Sequence, residues 1–323
     1  MTTKSRTKSA KDAELRIHRD WLSTLQPVGL VVSPPALVDA QVFPDRNISE
    51  PQRALVALFR RQPASATTGS RRPARKSTPA GIDFVDFARD VLGWPIDDPQ
   101  YVLGGDAGAR LPDAVTLPLP EFGETLRPTY AVVDKYHRGG DRRFALLVQV
   151  LPHGTALDDA GPQPSSGRDA RKWHASPQAR VERLLRAVDV AIGVLYNGVE
   201  LRLIYAPSGE SSGHLTWPLA ALCEVGGRPI LGALHMLLRR SRLFAAPVPL
   251  IHILRESRKY QNVVSTQLAQ QVLQALNELL RGFQAANAAQ RGLLLDSLLR
   301  EEPTHVYGGL LASLLRLVFI LFA

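Results

Sequence analysis

The chain has 323 residues, 45% of them hydrophobic, a formal net charge of +9 and a single cysteine. That apolar share is enough for a genuine core. One thiol, Cys223, excludes an internal disulfide and any cysteine-built zinc cluster, which suits a reducing compartment with the cytoplasm as the default.

The charge is concentrated at the front. Most of the surplus falls in the first 80 residues, leaving the remainder close to neutral. Lys4, Arg6, Lys8 and Lys11, then Arg71, Arg72, Arg75 and Lys76, suit sequence-independent contact with phosphate. A solvated, flexible tail is the alternative reading of such runs. The N-terminus lacks an apolar signal region, and no stretch reaches the roughly eighteen apolar residues needed to span a bilayer, so no membrane partner is expected.

In chain order, Ala13 to Leu25 reads as a helix and Val28 to Val32 as a buried strand ended by Ser33-Pro34-Pro35. That triplet lacks the asparagine and the aromatic ring of the Asn-Pro-Pro-aromatic motif of amino-group methyltransferases. Ser49 and Pro51 open a helix through Arg61 with Ala54, Leu55, Leu58 and Phe59 on one side. Residues 1–62 therefore read as a basic arm with a small module, and 63–80, rich in Pro, Ser, Thr and Arg, as a linker. Phe84 to Gly93 is expected to be a helix presenting Phe84, Phe87, Ala88 and Val91. A turn-rich stretch follows, with an edge strand at Tyr101 to Leu103.

Thr125 to Tyr205 carries the densest strand signals. Strands are expected at Thr129 to Tyr136 and Arg143 to Leu151, then a helix from Ser176 to Val190, then strands at Ala191 to Tyr196 and Glu200 to Tyr205. Ser176 stands at an N-cap with Pro177 at the first helical position, and Asn197-Gly198 suits a type I′ hairpin. This order of elements is that of the nuclease-like fold whose chemistry needs an acid opening the second strand and an acid-x-Lys triplet closing the third. Two carboxylates there would hold a divalent metal while the lysine orients a water. The corresponding positions are Thr129 and Gln149-Val150-Leu151, which offer neither carboxylate nor lysine. Asp134 and Asp158 are the nearby acids, but they stand five residues along the strand and in the following loop. The expectation is a degenerate nuclease-like domain over 81–220 with no catalytic residue and no metal; an active metal-dependent endonuclease is the alternative. Gly209-Glu210-Ser211-Ser212-Gly213 matches the Gly-x-Ser-x-Gly pattern of a nucleophile elbow, yet His214 to Pro218 reads as a strand where the elbow requires a helix.

The remainder, 221–323, reads as an all-helical connector. Helices are expected at Pro229 to Phe244, Asn262 to Phe283, Gln290 to Arg300, and from about Thr304 onward. Arg239, Arg240 and Arg242 fall at the end of the first, where cations complement the helix dipole and become further candidates for DNA contact. The last helix runs apolar to its end. Its Leu317, Phe319 and Phe322 are candidates for docking a partner, so the chain reads as truncated or as a standalone interaction module. The fold class is thus α+β: a mixed nuclease-like sheet with flanking helices, followed by an all-helical C-terminal region.

Several segments carry a resemblance: Trp21 to Pro35 (WLSTLQPVGLVVSPP), Ala191 to Leu219 (AIGVLYNGVELRLIYAPSGESSGHLTWPL), Gly227 to Phe244, Leu254 to Asn287 and Tyr307 to Ala323. Taken together, the chain resembles the N-terminal region of large bacterial DNA adenine-N6 methyltransferases. These are restriction-modification-like enzymes of phage-defence systems such as DISARM, akin to fused type IIG proteins. The resemblance implies a nuclease-like domain and a helical connector ahead of a methyltransferase domain. It implies DNA as a partner, with that domain or other defence-system subunits as protein partners, and S-adenosylmethionine as cofactor of the domain that follows. This chain itself holds no glycine-rich loop for that cofactor, so none is expected here.

Overall fold

A computed structural model of the chain describes residues 3–61, 81–105, 110–138, 143–161, 173–291 and 296–322. It is α+β and forms two compact units, Met1–Arg258 and Lys259–Ala323.

The first unit opens with helices α1 (Thr3–Leu25), α2 (Pro34–Asp39) and α3 (Ser49–Arg61). A short turn α4 (Phe84–Asp86) runs on as a π-helical turn, Phe87–Val91. Asp83 caps this segment by accepting from the Val85 and Asp86 amides. The strands are β1 (Val102–Gly104), β2 (Leu117–Leu119), β3 (Glu124–Leu126), β4 (Tyr130–Val133) and β5 (Phe144–Val150). Helix α5 (Pro177–Ala187) then leads into β6 (Ile192–Tyr196), β7 (Glu200–Tyr205) and β8 (Gly213–Pro218). Ser176 accepts the Ala179 amide at 3.2 Å, so the expected cap is realised.

Six strands form one mixed sheet in the order β1-β4-β5-β6-β7-β8, and β2 pairs with β3 alone. Only the β5–β6 pair is parallel, with α5 as the crossover. The other neighbouring pairs are antiparallel.

Strand alternation sorts the side chains onto two faces. Ile192, Val194, Tyr196, Leu201, Leu203 and Tyr205 enter one core with Trp21, Leu55, Phe84, Phe87 and Trp217. Leu147, Leu195 and Ile204 enter the other with Val181, Leu184 and Leu185 of α5 and with β2–β3 residues Leu119 and Leu126. The close approach of α5 requires Gly193, since a Cβ there would stand 2.8 Å from Leu185 Cδ1. The first core is completed by α6 (Leu219–Leu222), α7 (Arg228–Leu238), α8 (Arg240–Phe244) and the first turns of α9 (Leu250–Ala289). Apolar residues of segment 1–62, read from sequence as a separate module, thus share a core with the sheet.

The second unit holds the rest of α9, α10 (Asp296–Glu301) and α11 (Pro303–Phe322), with Leu276 and Leu310 buried and Leu273, Phe283 and Tyr307 exposed. No described helix is long and apolar enough to cross a membrane.

Several local expectations are corrected. Val28 to Val32 is not a strand. Gly29 has φ of +65°, which breaks the extended run after one bridge between Val28 and His214. Pro34 and Pro35 start a helix with Ser33 at its cap position instead of ending a strand. Asn197 does not take positive φ. Its Oδ1 accepts the Val199 and Glu200 amides at 2.9 and 2.7 Å, making a three-residue connection instead of a type I′ turn. The expected Pro229–Phe244 helix breaks at Arg239, which is extended at φ −64°, ψ 158°. The long C-terminal helix begins at Leu250, twelve residues before its sequence signal.

One buried group makes stability depend on pH. His18 is fully buried, stacks on Phe43, and accepts the Trp21 indole N–H on Nδ1 at 3.3 Å, while its Nε2 has no partner. Burial lowers its pKa to about 4. Because the folded value lies below the unfolded one, the neutral ring's contribution is complete above about pH 6.5 and is lost as pH falls toward 4, on the order of 2 to 3 kcal/mol. Burial lowers His214 and His235 in the same direction. Urea midpoints should therefore drop between pH 7 and pH 4.5, and His18→Phe should flatten part of that slope. An unchanged slope would remove His18 from the account.

Candidate functional site

The nuclease-type position is built where β4 begins and β5 ends. Antiparallel pairing sets Tyr130 opposite Val148, and the Thr129 amide donates to the Val148 carbonyl at 2.8 Å. Thr129 and Gln149 are thereby brought side by side. Thr129 Oγ1 accepts the Val150 amide at 3.0 Å and the Gln149 Nε2 group at 3.4 Å. Gln149 Nε2 also reaches the Val150 carbonyl at 3.3 Å. These are the two residues expected from sequence at degenerate ligand positions, and here they meet as a neutral pair joined by the Gln149 Nε2 donor.

A cavity of about 270 Å³ adjoins them, walled by Leu126, Leu151, Val181 and Leu184, with Arg127 and Arg180 contributing cations. Leu151 brings no donor to it. Arg180 is held by the Trp173 carbonyl and by Glu124 Oε2, each at 2.8 Å. The other Glu124 oxygen is buried without a partner. Arg180 is thus paired with Glu124, and no cluster of three metal-ligating side chains occurs among the described residues.

The two nearby acids serve elsewhere. Asp134 lies past the far end of β4 from Thr129, where its Oδ1 accepts the Tyr136 amide at 2.8 Å. It lines a groove of about 640 Å³ with His137, Arg143, Asp189 and Arg255. Asp158 grips Arg202 through both oxygens, with Nη2 at 2.8 Å from Oδ2. That charge-assisted bond holds its carboxyl below the usual carboxylate range. Arg202, itself buried on β7, also donates to Thr216 Oγ1 at 2.8 Å. The pair fastens the loop after β5 to the outer strands and was not foreseen, since nothing local couples positions 44 apart.

The Gly209–Gly213 stretch leads directly into β8, and Arg258 donates to both the Ser211 carbonyl and its Oγ. The serine is tied down ahead of a strand, so nucleophile-elbow geometry is absent. His235 is buried in α7.

The basic candidates divide. Arg71, Arg72, Arg75 and Lys76 lie outside the described residues, as do the side chains of Lys4, Arg6 and Lys8, whose backbone belongs to α1. Lys11 bonds Asp39 at 3.1 Å. Arg240 is exposed. Arg239 pairs with Asp45, and Arg242 is half-buried, donating to the Met236 and Val248 carbonyls at 2.9 and 2.7 Å. Arg46, absent from the sequence candidates, lines the same surface notch as Arg239 and Arg242. The partner-docking candidates Leu317, Phe319 and Phe322 sit on α11, with side chains outside the described residues. No family model, no curated protein and no solved structure matches the chain.

Proposed function

We propose that this chain is the non-catalytic, DNA-engaging portion of a DNA adenine-N6 methyltransferase of a bacterial anti-phage, restriction-modification type. Methyl transfer from S-adenosylmethionine belongs to a domain outside this sequence. The observation that supports the reading is the Thr129–Gln149 pair: the two residues that a nuclease-like reading of the sheet puts at ligand positions are adjacent, neutral and hydrogen-bonded. Such a scaffold can position a duplex without cutting it, because fold alone confers no chemistry. The surplus of cations over the first 80 residues and the arginines at the α7–α8 break supply phosphate contacts.

The test uses the purified 323-residue chain, a labelled mixed-sequence duplex and a salt titration. Binding is expected at 50 mM salt, falling steeply and log-linearly as salt rises, with neither methyl transfer from labelled S-adenosylmethionine nor plasmid cleavage in magnesium or manganese. Lack of binding at 50 mM salt would sink the DNA reading. Metal-dependent cleavage that persists in preparations of Asp134→Ala and Asp158→Ala would replace it with an endonuclease centred elsewhere in the chain.

A further inference from the structure

Beside the break between α7 and α8 lies a notch of about 370 Å³ that gathers three guanidiniums, those of Arg46, Arg239 and Arg242, against one carboxylate, that of Asp45. Two backbone features build it. Gly232 of α7 lets the loop between α2 and α3 cross the helix at van der Waals range: the Asp45 amide donates to the Gly232 carbonyl at 3.0 Å, and a Cβ on Gly232 would stand 2.5 Å from the Asp45 carbonyl oxygen. The extended conformation of Arg239 then ends α7 at Leu238 and starts α8 at Arg240, turning Arg239 and Arg242 toward the loop.

The charge in this notch is not balanced. Arg242 is half-buried, and its bonds go to two neutral carbonyls, those of Met236 and Val248. Among the described residues no carboxylate lies within ion-pair reach of it or of Arg46. Arg239 spends its charge on Asp45. Burial and the neighbouring Arg239 charge both push the Arg242 guanidinium pKa down, as expected for a desolvated cation beside a like charge. A partly buried cation without a counter-charge is costly, and the missing component is an anion. Guanidiniums present paired N–H donors that match the oxygens of a phosphate, and Phe43 and Met236 supply apolar walls.

We propose that this notch binds a phosphate group, which approaches Arg46 and Arg242 and competes with Asp45 for Arg239. The favoured source is the backbone of duplex DNA, and in that part the inference rests on the function proposed above; the anion site itself does not. Asp45 acts as a resident competitor, so removing its charge should strengthen binding even though an ion pair is lost.

The test compares the intact chain with Arg46→Gln, Asp45→Asn and, as a control of equal charge change, Arg53→Gln on the exposed side of α3. Two probes are used: inorganic pyrophosphate by calorimetry, and a 20-base-pair duplex by fluorescence anisotropy. Arg46→Gln should weaken binding about 3- to 10-fold and Asp45→Asn should tighten it by a similar factor, with Arg53→Gln within twofold of the parent. The salt slope for DNA should fall by about 0.9 for each phosphate that is no longer neutralised. Opposite shifts on DNA, with or without pyrophosphate, support the site with DNA as its source. Opposite shifts on pyrophosphate alone keep the site and assign it to a free phosphate compound. A parent chain that binds DNA, with neither its DNA affinity nor its pyrophosphate affinity changed by Arg46→Gln and Asp45→Asn, overturns the notch and leaves the DNA reading standing. A parent that binds pyrophosphate through these residues but not DNA does the reverse. Binding of neither probe overturns both.

Discussion

Trp217→Ala is expected to cost about 4 to 5 kcal/mol, the largest loss from any single substitution considered for this chain. The indole is fully buried on β8, opposite Leu201 of β7, in the core that also takes in Trp21, Leu55 and Phe84. Truncating a buried tryptophan removes roughly 3 to 5 kcal/mol through forfeited transfer energy and the cavity left behind. It also strands the Ile230 carbonyl, which accepts the indole N–H at 3.0 Å; an unsatisfied buried acceptor adds about 1 kcal/mol or more. For a unit of this size the melting temperature should fall by about 10 to 15 °C. Trp217→Phe keeps much of the volume and gives up only the hydrogen bond and part of the packing, so about half that loss is expected. Urea denaturation of both variants decides the matter. A Trp217→Ala loss under about 1.5 kcal/mol would mean that β8 is not bound to the core as described. The effect should also reach the N-terminal helices, because α1 and α3 deliver Trp21 and Leu55 to the same cluster. Their protection from proteolysis should weaken in parallel.

Elements with local chemistry strong enough to decide them were legible from sequence. Ser176-Pro177 and the Val181, Leu184, Leu185 stripe marked α5, and the apolar runs on either side of Asn197-Gly198 marked β6 and β7. The helix at Ser49–Arg61 was read to the residue. What escaped depends on partners far along the chain. The β2–β3 pair has three residues per strand and contains Pro118, so its signal is weaker than that of a turn. The break at Arg239 lies within continuous helical periodicity, and partners far along the chain hold it: the Trp94 indole donates to the Leu238 carbonyl at 2.6 Å and the Arg240 amide to the Leu92 carbonyl at 2.9 Å.

The same distinction runs through the candidate site. That Thr129 and Gln149 occupy equivalent ends of paired strands followed from counting along the strands, and the structure joins them. That Asp158 would be claimed by Arg202 could not be counted, since the pairing is made by the fold of the loop. Likewise Arg242 read as a cation at a helix end and a DNA-contact candidate, whereas it is half-buried and donates to backbone carbonyls.

The double substitution Thr129→Asp and Gln149→Glu should convert the neutral pair into a metal-dependent one. The two side chains already meet at 3.4 Å, so the new carboxylates would face each other at a separation where both cannot stay ionised comfortably. Without metal, repulsion raises the pKa of at least one. A carboxyl with a raised folded value contributes stability that is present at acidic pH and lost as pH climbs through it, so the variant should be less stable than the parent at pH 7.5 and approach it at pH 5. The Val150 amide, now donating to Thr129 Oγ1 at 3.0 Å, can serve an aspartate oxygen equally well, which keeps the first carboxylate oriented. A divalent cation would replace the repulsion with shared coordination. At a hundredfold excess over its dissociation constant it would return about 2.7 kcal/mol, a rise of roughly 5 to 10 °C in melting temperature. Thermal melts of variant and parent in 0 to 10 mM manganese measure this directly, with the parent expected to stay flat. Arg127 on the same cavity opposes the cation, so adding Arg127→Gln should strengthen the manganese response. If the double variant melts independently of metal at every pH, Thr129 and Gln149 do not stand where a ligand pair would, and the nuclease-like reading proposed for this sheet loses its main support.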